Sequence, residues 1–179
     1  MDKKLTILTP FFNQPTAHYH IRELARKLDM NHASVRNHLN KLVDDGILQR
    51  QEGKLYVAYK AVIDTAFLNL KLYHNLEQLR MSGLVEKLEE KYAYPTIVLF
   101  GSYAQARDDQ NSDIDICIIT EAESKIKTTR FGTISKKPVN LHIFPENKWK
   151  ELITQKEAIV NSIVNGIVLS GELEISNVI

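Results

Sequence analysis

Residues 101–115 constrain this chain more than anything else in it: Gly-Ser-Tyr-Ala-Gln-Ala-Arg-Asp-Asp-Gln-Asn-Ser-Asp-Ile-Asp. The segment follows Thr96-Ile97-Val98-Leu99-Phe100, a short apolar run behind Pro95 that reads as a buried strand. A strand running straight into Gly101-Ser102 leaves backbone N–H groups free to face a phosphate. Asp113 and Asp115 then alternate on a second strand. They share one face, while Ile114, Ile116 and Ile118 point into the core. A phosphate cradle beside paired carboxylates suits a nucleoside triphosphate carried with magnesium.

The segment resembles the signature of the polymerase-β-type nucleotidyltransferases, and most closely that of the small "minimal" members. It matches their pattern at Gly101, Ser102, Ala104, Ser112, Asp113 and Asp115 with no change of spacing. The resemblance covers roughly residues 94–179. It implies a mixed β-sheet with flanking helices and transfer of a nucleoside monophosphate from an NTP, with ATP the expected nucleotide. Gly101, Ser102 and Ser112 would bind the nucleotide. Asp113 and Asp115 would be catalytic, holding Mg2+ or Mn2+.

Two positions depart from the family. Gln105-Ala106 replaces the usual Arg-Gly and removes a positive charge. The third carboxylate is expected on a neighbouring strand, here Pro138–Phe144, where Val139, Leu141 and Ile143 make one face and Asn140 and His142 the other. Asn140 therefore stands at the acid's position. As a third metal ligand it would offer a neutral oxygen and no charge. Two metal ions about 4 Å apart repel and need anionic ligands. Nucleotide binding is expected to survive better than turnover.

Charge is unevenly distributed. Residues 1–60 hold ten Lys/Arg and six Asp/Glu, whereas the remainder hold thirteen and sixteen. This predicts a basic module joined to an acidic one. In the basic part, Leu5, Ile7, Leu8, Phe11 and Phe12 predict a first helix. His20–Leu28 predicts a second, with Ile21, Leu24, Ala25 and Leu28 inward. Asn31 caps a third that reaches Asp44 or Asp45, with Val35, Leu39 and Leu42 inward. Ile47–Gln51 and Leu55–Lys60 read as a hairpin.

Three helices and a hairpin in this order resemble the winged helix-turn-helix of small bacterial and archaeal repressors. Double-stranded DNA is the partner this implies, and transcription regulation the role. His32, Ser34, Arg36, Asn37, Asn40 and Lys41 are candidates for the DNA-facing surface, with Lys54 at the wing tip. Arg and Asn read base edges, and Lys contacts phosphate.

The expected organisation is α+β: a winged helix-turn-helix over 1–60, a helical linker or dimer region over 61–93, and the nucleotidyltransferase domain over 94–179. In the linker, Val62, Ala66, Leu70, Tyr73 and Leu76 form one expected stripe. Leu84, Val85, Leu88 and Tyr92 form another, with Ser82 as cap. A homodimer would place its two-fold contact there. Glu121–Lys127 reads as exposed and polar; Lys125, Lys127 and Arg130 read first as a solvated face, with approach to a triphosphate as the alternative. Residues 147–165 read as one helix, and Ile167–Leu169 and Leu173–Ile175 as strands around Ser170-Gly171.

The longest apolar runs are too short to span a membrane. No cleavable leader is recognisable, and the single Cys117, expected half-buried, has no disulfide partner. A cytoplasmic location is expected. Three functions remain open: a nucleotidyltransferase with a DNA-binding module, a regulator whose nucleotidyltransferase domain senses nucleotide with weakened catalysis, and the nucleotidyltransferase of a toxin–antitoxin pair with a small helical toxin partner.

Overall fold

The structure is a computed structural model that describes residues 3–53, 56–123 and 125–174. The chain divides into two compact units, Met1–His74 and Asn75–Ile179.

The first unit contains α1 (Lys3–Asn13), α2 (Ile21–Leu28) and α3 (His32–Asp44), followed by β1 (Leu48–Glu52) and β2 (Val57–Ala61), an antiparallel pair. The arrangement is that of a winged helix. Asn31 caps α3 as expected, its side chain accepting from the Ala33 N–H at 2.8 Å. This satisfies one of the N–H groups a helix start leaves without an intrahelical partner. Val35, Leu39 and Leu42 are buried on α3, and Leu24 and Ala25 on α2, while Ile21 and Leu28 are only half-buried. Tyr19 pairs with Tyr59 through two backbone hydrogen bonds of 2.9 Å, adding a one-residue third strand to the hairpin. The hairpin lies one or two residues later than expected. Leu55 and the wing-tip candidate Lys54 fall outside the described residues.

Helix α4 (Thr65–Met81) contains the division between the units and corrects the expected stripe. Val62 lies outside the helix, Ala66 and Tyr73 are exposed, and Leu70 and Leu76 are half-buried. The buried positions are Phe67, Lys71, His74, Asn75 and Leu79. Three of these five are polar, so apolar spacing pointed to the wrong face. Phe67 belongs to the core of the first unit and Leu79 to that of the second.

The second unit continues with α5 (Leu84–Tyr92), β3 (Thr96–Phe100), the single-turn α6 (Gly101–Ala104), β4 (Ile114–Thr120), β5 (Lys127–Ile134), β6 (Lys137–Pro145), α7 (Glu146–Gln155), α8 (Ala158–Val164) and β7 (Ile167–Ser170). Its five strands make one mixed sheet in the order β5-β6-β4-β3-β7, with β4 and β6 parallel and the other neighbours antiparallel.

Alternation sorts the side chains cleanly. Ile97, Leu99, Ile114, Ile116, Ile118, Val139, Leu141 and Ile143 pack beneath Leu79, Leu84, Leu88 and Tyr92. On the other face, Val98, Phe100, Cys117, Ile119 and Phe144 pack beneath Trp149, Ile153, Val160 and Ile163. Cys117 is therefore fully buried, not half-buried, because α7 and α8 cover its part of that face, and desolvation raises its thiol pKa.

Two further expectations are corrected. Residues 147–165 form two helices, because Lys156 turns left-handed at φ 54° and ends α7. Leu173 and Glu174 are not in a strand, and Ile175 lies outside the described residues. The described residues of 121–127 are exposed as expected, apart from half-buried Glu123, and they lead into β5, a strand not foreseen.

Candidate nucleotide site

The two halves of the motif meet at one end of β3 and β4. Antiparallel pairing sets Phe100 directly opposite Asp115, so the turn that begins at Gly101 lies over that carboxylate. Gly101 has φ +76°, and a Cβ built there would come within 3.0 Å of Asp115 Oδ2. Both the left-handed backbone and the close approach require glycine. The short turn of α6 then buries Tyr103 and Ala104 and leaves Gly101 and Ser102 half-buried.

Parallel pairing sets Asn140 beside Asp115 and His142 beside Cys117. Asp113, Asp115, Asn140 and His142 share the face partly roofed by α7 and α8, yet all four remain half-buried. Asn140 Nδ2 donates to Asp113 Oδ2 at 3.0 Å and to Asp115 Oδ1 at 3.2 Å. His142 Nε2 lies 3.3 Å from the same Asp115 oxygen, and its Nδ1 lies 3.5 Å from Thr128 Oγ1. The hydrogen bond with His142, then that from Asn140 and the charge of His142, hold the Asp115 carboxyl below its ordinary pKa against the opposing effect of burial.

The segment joining the two halves is pinned by a buried polar network that the sequence did not reveal. Asn75 Nδ2 donates to the Tyr103 carbonyl at 3.1 Å and to Asp108 Oδ1 at 2.9 Å, while the Tyr103 hydroxyl donates to the Asn75 carbonyl at 3.2 Å. Lys137 reaches Asp108 Oδ2 at 3.2 Å, with the two side chains 6% and 2% exposed, and also donates to the Asp109 carbonyl. Removing one partner from so buried a pair leaves an uncompensated charge. Ser112 takes part in the adjoining turn. Its hydroxyl accepts from the Asp109 N–H at 2.9 Å and lies 3.2 Å from Asp109 Oδ1. Nothing in the spacing of Asn75, Asp108 and Lys137 signals that they would meet.

Residues 81–169 match the nucleotidyltransferase domain family. This region is a nucleotidyltransferase domain. No curated protein matches the chain. Among solved structures it is similar to a possible transcriptional regulator from Methanosarcina mazei Go1, at 23% identity and a TM-score of 0.36, over 50% of this chain and 78% of that one.

The family generally uses a divalent metal and an NTP. Among the described residues, no group of three or more His, Cys, Asp or Glu is arranged to hold a metal ion. Asp113 and Asp115 are two carboxylates. Magnesium is commonly held by one or two, with substrate phosphates and water completing its octahedron. Asp113 and Asp115 could thus hold one metal ion brought with a nucleotide, and among the described residues no third carboxylate joins them for a second. Asn140 faces the two acids with its N–H groups, which are donors, so it would have to turn its amide to become a ligand.

A cavity of about 480 Å³ lined by Thr96, Ile119, Trp149 and Glu172 lies at the opposite end of β3 and β4 from these acids. In the winged helix, His32, Arg36, Asn37, Asn40 and Lys41 are exposed along α3 and Ser34 is half-buried. Among the described residues no helix is long and apolar enough to cross a membrane.

Proposed function

We propose that the nucleotidyltransferase domain binds a nucleoside triphosphate, ATP by preference, with one Mg2+ or Mn2+ ion, and transfers its nucleoside monophosphate only weakly. The reading rests on one observation: the Asn140 amide donates to both Asp113 and Asp115. Gly101 and Ser102 would receive the distal phosphates through backbone N–H groups. Asp113 and Asp115 would hold the cation, which would neutralise charge on the triphosphate and orient its α-phosphorus. Asn140 would hold the two carboxylates together without adding a third negative charge. Ser112 would act through the turn it stabilises.

In this reading residues 1–60 bind double-stranded DNA through α3, and the protein is a regulator whose nucleotide-binding domain reports on the cell's NTP. The basic excess of residues 1–60 and the exposure of Arg36, Asn37, Asn40 and Lys41 support it. Residues 61–93 would provide the homodimer contact.

Incubation with α-labelled ATP, Mg2+ or Mn2+ and lysate tests the transfer. Wild type should bind ATP and label acceptors at a trace rate that Asp113→Ala abolishes. Rapid labelling by wild type would instead establish a fully competent transferase. A filter-binding assay on the gene's own upstream duplex across salt tests the DNA half. A flat salt response would count against it.

A further inference from the structure

Helix α7 turns one stripe of side chains toward the end of the sheet away from the carboxylates. Glu146, Lys150, Ile153 and Thr154 follow helical spacing and share a face, and with Trp149 they wall the cavity of about 480 Å³. Thr96 and Ile119 line it from β3 and β4, and Glu172 and Glu174 from the segment after β7. Its volume is that of an ordinary small-molecule pocket. Ile119 and Asp115 lie near opposite ends of β4, about 14 Å apart at roughly 3.4 Å per residue. The cavity is therefore a separate place from the two acids.

Its rim is fastened in place. Thr96 Oγ1 donates to the Glu172 carbonyl at 2.8 Å. Gly171 turns left-handed at φ +72°, where a Cβ would come to 3.0 Å from the Pro95 carbonyl oxygen and from Thr96 Cα. Only glycine fits so close a turn. The chain after β7 is thus drawn tight against the start of β3, which holds Glu172 beside the cavity.

Trp149 is the unusual part of the wall. It is only 3% exposed, and its indole N–H has no hydrogen-bond partner among the described residues. A buried tryptophan N–H normally finds an acceptor, and one without a partner calls for an explanation. Glu146, Lys150, Glu172 and Glu174 are exposed, and none of them is in an ion pair among the described residues. Glutamates by themselves describe only a solvated rim. An unsatisfied buried donor in the adjoining wall does not fit that description. The cavity presents acceptors for a cation, donors for an anion, and the apolar surfaces of Ile119 and Ile153.

We propose that this cavity binds a free α-amino acid with an apolar side chain. The ammonium group meets Glu172 and Glu174, the carboxylate accepts from Lys150 and the Trp149 indole N–H, and the side chain lies on Ile119 and Ile153. A simple amine leaves both donors without an acceptor, and a simple acid leaves the glutamates without a cation. A nucleotide's phosphates would face three glutamates and a single lysine. The site stands apart from the nucleotide reading and does not depend on it.

Trp149 is the chain's single tryptophan, so its emission reports on this cavity. In the full chain, L-leucine should shift that emission saturably, with matching heat in calorimetry. 3-Methylbutylamine and 4-methylpentanoate, which each lack one charged group, should bind at least tenfold more weakly. Glu172→Gln/Glu174→Gln should weaken L-leucine at least tenfold, and Lys150→Gln should weaken L-leucine but not 3-methylbutylamine. All three side chains are exposed, so thermal melting should find these variants as stable as wild type. Asp113→Ala and excess ATP should leave L-leucine binding intact. Silence with L-leucine, L-methionine and L-phenylalanine alike, equal binding of the amine or the acid, indifference to the glutamate and lysine variants, or displacement by ATP would each overturn the proposal. If wild type binds L-leucine but no ATP, the amino-acid site stands and the nucleotide reading falls.

Discussion

Asn140 holds Asp113 and Asp115 together, its single amide nitrogen donating to one oxygen of each at 3.0 and 3.2 Å. An acid at this position would bring a third negative charge to the same oxygens. Asn140→Asp is therefore expected to destabilise the metal-free protein by about 2 kcal/mol, from lost charge-assisted hydrogen bonds and added repulsion. Excess Mn2+ should restore that stability, and NMP transfer should rise at least tenfold. Thermal denaturation with and without Mn2+, beside the labelled-ATP assay, reads all three effects.

Asp115 gives the site a pH signature. Its folded pKa lies below its unfolded value, chiefly through His142. Its contribution to stability is thus fully present above the ordinary carboxylate range, around pH 4, and is lost as pH falls through the lower folded value. Carboxyl NMR titration of the metal-free protein should find Asp115 titrating below a free aspartate. In His142→Ala the midpoint should move up, and acid unfolding should begin at higher pH.

Lys137 and Asp108 are coupled within the core of the second unit. Lys137→Met alone should cost about 3–5 kcal/mol, because it strands a buried carboxylate. Lys137→Met/Asp108→Leu should cost less than the sum of the two single changes. Urea unfolding of the four proteins as a double-mutant cycle measures the difference.

Gly101→Ala should cost about 1–2 kcal/mol for its left-handed backbone alone. The new methyl, within 3.0 Å of Asp115 Oδ2, should also displace that carboxylate. The expected result is a folded protein with ATP affinity reduced at least tenfold, read by calorimetry beside thermal melting.

Much of the fold was legible because alternation carried it. Val139, Leu141 and Ile143 are buried in turn, and that apolar alternation in the sequence already assigns Asn140 and His142 to the opposite face. Strand β5 could not be read this way, because its exposed face and its thinly covered edge position leave no apolar alternation in Lys127–Thr133. The break between α7 and α8 is equally silent. It falls at a lysine in left-handed conformation, with no Gly or Pro to announce it. On α4 the periodicity misled, because Lys71, His74 and Asn75 are buried although polar, and apolar spacing does not register them. The pinning of the phosphate turn was hidden for the same reason. Asn75, Asp108 and Lys137 are far apart in sequence, and only the folded sheet brings them together.

Isothermal calorimetry of ATP into the full chain, with and without Mg2+, tests the central claim most directly. The expected result is a single Mg2+-dependent site that disappears in Asp113→Ala. No heat from ATP in the presence of Mg2+, or equal binding by wild type and Asp113→Ala, would contradict it.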